Sequence, residues 1–180
     1  MISLRSKITR AVLADFFLNR TRSFYANELA RRLRLDSGNL TRKLRELENV
    51  GLLSSRVRGK ERHYSLNTTY PLLEEYRRIV LKTMGIEADL RKALKSVPGV
   101  SRAFLFGSYA EDRMDESSDI DLVVIGSHQA LDLQRKIAVI QKKISREINL
   151  INLSLQEYEK RRRSHPFFKA LEGRRRVELL

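Results

Sequence analysis

The chain predicts a mixed α/β (α+β) protein of two domains, and three observations carry that expectation. Its 180 residues, 42% of them hydrophobic, suffice for one large core or two small ones. Its apolar spacing is helical as far as residue 49 and passes into a strand-turn-strand pattern, whereas helix and strand periods alternate from residue 100 onward. Its charge is divided: residues 1–70 hold 15 Lys+Arg against 6 Asp+Glu, and residues 86–155 hold 10 of each. The expected division is 1–67, a linker at 68–85, and 86–180.

In the first domain Ile8, Ala11, Val12 and Phe16 recur at helical spacing and predict a helix over 3–19. A second helix is expected over 26–33, with Leu29, Ala30 and Leu33 on one face. Asp36 or Ser37 can cap a third, in which Leu40, Leu44 and Leu47 share a face and which Gly51 ends. Residues 53–58 and 61–66 read as two strands about the turn Gly59-Lys60. Three helices and a hairpin make a winged helix-turn-helix. Tyr70-Pro71 then opens a helical linker.

A helix over 86–96 ends at Pro98-Gly99. Strands are expected at 100–106, 119–125 and 147–153, helices at 108–114, 129–145, 155–163 and 165–172, and a last strand at 175–179. Such alternation is that of a small α/β domain. The chain has no cysteine, which excludes disulfides and thiolate chemistry. No apolar run approaches the ~18 residues of a membrane span, and the first residues lack the apolar core of a secretory signal. A cytoplasmic protein with no membrane partner is expected.

The basic first domain suggests a polyanion. With its leucines turned inward, the third helix presents Arg42 and Arg45, with Asn39 and Thr41 on the flanks. These are side chains that read base edges or phosphates in a major groove. Arg56, Arg58, Lys60 and Arg62 of the hairpin are placed to hold neighbouring phosphates. Residues 5–67, including YANELARRLRLDSGNLTRKLRELENVGLLSSRVRGKERHYSL, resemble winged-helix transcriptional regulators that bind double-stranded DNA as dimers. The resemblance implies a DNA partner and a homodimer.

Between two apolar runs the second domain gathers six carboxylates, from Glu111 to Asp121, against one arginine. Alternation along a strand puts Asp119 and Asp121 on one face. Two such carboxylates repel unless a cation lies between them, and hard oxygen ligands suit Mg²⁺ with substrate phosphates. Gly107-Ser108 ends the preceding strand, where a glycine admits a phosphate close to the backbone and a serine adds a hydroxyl. Glu111, Asp112, Asp115 and Glu116 read as a solvated loop.

Gly-Ser, ten residues, then Asp-x-Asp resembles the DNA polymerase beta-like nucleotidyltransferase superfamily, above all its minimal branch. The resemblance implies that Gly107 and Ser108 bind the triphosphate of a nucleotide, ATP being the commonest donor, while Asp119 and Asp121 ligate Mg²⁺. The family's third carboxylate position, within a Val-Asp-Leu type triplet, is here Ile148-Asn149-Leu150. Glu147, two residues back on the same face, is the candidate substitute in catalysis. The family often has a glycine soon after Gly-Ser; Asp112 stands near that place.

Three readings follow: a DNA-binding regulator whose second domain binds a nucleotide with Mg²⁺; an active nucleotidyltransferase that modifies a protein or small molecule, in the manner of related antitoxins, and is targeted by its winged helix; or, third in order, an enzyme that modifies or tails RNA held by both domains. The tail adds Lys160 to Arg163 and Arg174 to Arg176 about the helical stretch carrying Phe167 and Phe168, a pair expected to dock inward.

Overall fold

The computed structural model describes residues 2–114 and 117–180, which form two compact units, Met1–Gly85 and Ile86–Leu180.

The first unit opens with α1 (Lys7–Leu18), where the Ser6 hydroxyl accepts from the Thr9 amide. Val12, Leu13, Phe16 and Phe17 of α1 are buried. A short strand β1 (Phe24–Tyr25) leads into α2 (Ala26–Leu33), which Arg34 ends in the left-handed conformation. The Asp36 carboxylate caps α3 (Ser37–Asn49) by accepting from the Asn39 amide at 2.8 Å. Leu40, Leu44 and Leu47 are buried as their spacing requires. Strands β2 (Leu53–Arg58) and β3 (Glu61–Leu66) pair antiparallel through six residues each, about a turn whose Gly59 has φ +61°. With β1 they form a sheet of order β1-β3-β2.

The stretch read as a linker carries α4 (Leu73–Thr83), whose buried Leu73, Tyr76, Val80 and Leu81 cover a face against α1. The Tyr76 hydroxyl accepts from the Ile2 amide at 3.1 Å. This segment contributes to the first unit's core.

The second unit has helix α5 (Ile86–Lys95), strand β4 (Val100–Phe106), the single turn α6 (Gly107–Ala110), strand β5 (Ile120–Gly126), helix α7 (Ala130–Ile144), strand β6 (Ile148–Leu153), helices α8 (Leu155–Ser164) and α9 (Pro166–Glu172), and strand β7 (Val177–Glu178). The sheet runs β6-β5-β4-β7; β5 and β6 are parallel, with α7 as the crossover, and the other pairings are antiparallel. Phe104, Phe106, Val123, Ile125 and Leu153 pack with Tyr158, Phe168 and Leu171 from α8 and α9. The alternate residues Ala103, Leu105, Leu122 and Val124 are also buried, which places them on the opposite face. Burial on both faces explains why 103–106 of β4 and 122–125 of β5 read as unbroken apolar runs.

Two expectations shorten. The helix foreseen at 108–114 is one turn, because Asp112 takes φ +58° and closes it. Its amide donates to Tyr109 O at 3.3 Å and that of Arg113 to Ser108 O at 2.9 Å, the paired bonds of a Schellman motif. Asp112 thus holds the backbone conformation that glycine usually supplies. The last strand is Val177–Glu178, two residues on the edge of β4. Among the described residues no helix is long and apolar enough to cross a membrane.

Candidate functional site

The sheet brings three polar side chains to one end of one face. Asp121, second residue of β5, lies opposite Phe106 on β4 and beside Asn149 on β6. Asp119 just precedes β5, and its neighbour Ile120 is fully buried, which anchors the pair. The Ile120 amide donates to Glu147 O at 3.1 Å. Arg146, itself buried, donates to Ser118 O at 2.5 Å and so fixes the chain entering the acid pair.

The Gly-Ser bend meets this pair. Gly107 has φ +67°, and a Cβ there would collide with Asp121 Oδ2. The missing side chain is therefore what lets the carboxylate lie against the bend. Asn149 Nδ2 donates to Asp121 Oδ1 at 3.2 Å and approaches Asp119 Oδ2 at 3.5 Å. A neutral amide bridges two carboxylates whose charges would otherwise face each other uncompensated.

This donor set fits Mg²⁺, which binds through one or two carboxylates and keeps waters or phosphate oxygens for its remaining positions. Asp119 and Asp121 would hold the ion, and Asn149 could add its carbonyl oxygen after turning its amide. Glu147 does not join them closely: among the described residues no three Asp, Glu, His or Cys side chains converge as a metal cluster. Its backbone continues the parallel register beside Asp119, and its side chain is exposed. Of the surrounding acids, Glu111 is ion-paired with Arg113, and Asp112 with Arg175 at 2.6 Å. Asp115 and Glu116 lie outside the described residues.

In the first unit the predicted contact residues take two kinds of place. Asn39, Arg42 and Arg45 are exposed on α3, with Arg42 Nη2 donating to Asn39 Oδ1 at 3.3 Å. The Thr41 hydroxyl donates back to Ser37 O at 2.8 Å. Arg56, Arg58 and Lys60 are exposed on the hairpin. Arg62 differs: it pairs with Glu48 of α3 at 3.4 Å and with the Ser55 hydroxyl at 3.2 Å. Alternation separates it from Arg56 and Arg58, which sit opposite His63 and Glu61. A groove lined by Tyr25, Asn27, Thr41, Arg45, Lys60 and Arg62 runs between the helices and the hairpin.

The two aspartates and the bend singled out in the sequence lie together, and the Asn149 bridge, which depends on a side-chain orientation, was not foreseen. The Arg62–Glu48 pair was also missed; its signal was an acid on α3 within reach of the hairpin.

Residues 88–164 match the family described as Polymerase beta, Nucleotidyltransferase. The matched region contains Gly107, Ser108, Asp119, Asp121 and Asn149. Among solved structures, a toxin–antitoxin crystallised with AMP-PNP is 19% identical, over 52% of this chain and 72% of that one, with a TM-score of 0.38. A protein of Sulfolobus solfataricus named as a nucleotidyltransferase is 19% identical, over 41% and 68%, with a TM-score of 0.29. No curated protein matches significantly.

Proposed function

We propose that the chain is a Mg²⁺-dependent nucleotidyltransferase, with ATP as its expected donor, whose first unit is a winged helix that holds double-stranded DNA. The observation that carries the enzymatic reading is the contact between the Asp121 carboxylate and the side-chain-free Gly107, within a region that matches a nucleotidyltransferase family.

The residues have separable roles in this reading. Gly107 makes room for the Asp121 carboxylate at the bend, and the partly exposed Ser108 offers its hydroxyl to a phosphate oxygen. Asp119 and Asp121 hold the metal, which when bound offsets phosphate charge and lowers the pKa of a bound hydroxyl. The acceptor oxygen bonds to the α-phosphorus while the bond to the bridging oxygen breaks, and pyrophosphate leaves with that electron pair. Glu147, at the register position beside Asp119, takes the acceptor's proton. Exposed Arg42, Arg45, Arg56, Arg58 and Lys60 supply a cationic footprint for the DNA backbone, and Asn39 and Thr41 lie on the same helix. The partner is duplex DNA in each reading, and the acceptor is a protein or small molecule.

A second reading is favoured by Asn149, which puts a neutral amide across both aspartates. There the domain binds nucleotide without turnover and the chain acts as a DNA-binding regulator. Incubation with α-labelled ATP and Mg²⁺ separates the two. The enzymatic reading expects label on a protein or small-molecule acceptor, lost in Asp121→Asn. Nucleotide binding without transfer supports the regulator.

A further inference from the structure

We infer that Phe167 is the platform on which the nucleobase of the bound nucleotide stacks, an inference that rests on the nucleotide reading of the Asp119–Asp121 site. Asp121, Val123 and Ile125 share one face of β5, and Phe104 and Phe106 share the same face of β4, since Phe106 pairs directly with Asp121. The aromatic cluster under α8 and α9 covers this face as far as Phe106. Beyond it lie the polar side chains of Asp121 and Asn149, with Asn149 exposed.

Phe167 stands at the boundary. Its ring meets the edge of Phe106 at 5.7 Å between centroids, with an interplanar angle of 73°. It is 40% exposed, whereas Phe168, the next residue, is 4% exposed and belongs to the cluster. A single exposed apolar side chain is ordinary on a protein surface. The place of this one is not: one strand spacing and one ring contact separate it from Asp121, about 10 Å in all. A ribose can bridge that interval from a phosphate at the carboxylates.

The ring is also held. Pro166 fixes the start of α9, His165 Nδ1 accepts from the Phe167 amide at 3.3 Å, and the Phe167 ring packs edge-on against Phe168 at 5.1 Å. A restrained aromatic with solvent access is what a base needs, because every base offers a π-face. Such stacking recognises ring area rather than base edges, and so favours purines over pyrimidines.

The chain contains no tryptophan, so Phe167→Trp introduces a lone indole reporter. The test titrates this variant, Phe167→Ala and the unaltered chain with Mg²⁺–ATP and with Mg²⁺–tripolyphosphate, which lacks a base, by calorimetry and emission. Phe167→Ala is expected to weaken ATP about tenfold and to leave tripolyphosphate unchanged. Phe167→Trp is expected to keep ATP affinity and to change its emission with ATP but not with tripolyphosphate. Equal ATP affinity in the unaltered chain and Phe167→Ala, or indole emission unmoved at saturating ATP, overturns the stacking role alone. Absence of ATP binding by the unaltered chain overturns the nucleotide reading and this inference with it. Should Phe167→Ala melt early, the tryptophan variant decides.

Discussion

The two units display charge by opposite means. In the first, Arg42, Arg45, Arg56 and Arg58 stand on exposed faces of a helix and a hairpin, where their long side chains can adjust. In the second, Asp119 and Asp121 are set by strands buried on both faces, against a glycine that leaves no slack. The difference follows from the ligands each could serve. A footprint for a polyanion acts across a Debye length, about 8 Å at physiological salt, and tolerates approximate placement. A pair of carboxylates sharing a cation must be placed to a fraction of an ångström. Substitutions should therefore act gradually in the first unit and abruptly in the second.

The largest effect is expected at Gly107→Val. It forces a side chain against the Asp121 carboxylate and into φ +67°, at a strain of about 1–3 kcal/mol. Thermal denaturation should show the loss of stability, and ATP titration the loss of binding. Asn149→Asp comes next. It replaces the bridging amide by a third carboxylate, so the metal-free protein should melt lower and Mg²⁺ should restore the loss. A melting temperature indifferent to Mg²⁺ in this variant would count against a metal at the site.

In the first unit, Arg56→Ala and Arg58→Ala should each weaken duplex DNA binding and lower the salt slope by about one. Arg62→Ala should change the slope less, because Glu48 already holds that guanidinium. Fluorescence anisotropy across a salt series measures both. If Arg62→Ala matched Arg56→Ala, the ion pair would have no part in the footprint.

The smallest effect concerns Tyr158, which packs against Phe104 and Phe168. Burial, then the hydrogen bond to Glu172, raises the Tyr158 phenol above its ordinary pKa. The folded state thus favours the protonated phenol. Its contribution to stability is fully present below the unfolded value, near 10, and is lost as pH rises through the folded one. Tyr158→Phe should flatten the alkaline fall in melting temperature and, through the lost bond to Glu172, lower the neutral value modestly.

Much of this was legible in the sequence because local chemistry fixed it. Asp36 starts α3, Gly59 turns the hairpin, and Asp-x-Asp at a strand entrance fixes which face the acids share. What was not legible depended on partners distant in sequence. Phe167 and Phe168 are identical side chains one position apart, and only the packing of α9 on the sheet decides which is covered. The shortness of α6 was hidden because an aspartate occupies the left-handed position where glycine would have announced the turn. Arg62 resembled the other hairpin arginines until the register set it beside Glu48.

The central claim is that Asp119, Asp121 and the Gly107-Ser108 bend hold a divalent ion with the phosphates of a nucleotide. Calorimetry of Mg²⁺–ATP against the full chain and an Asp119→Ala/Asp121→Ala double variant tests it most directly. The account predicts saturable, Mg²⁺-dependent binding to the first and none to the second. Equal binding by both, or none by the full chain, would contradict it.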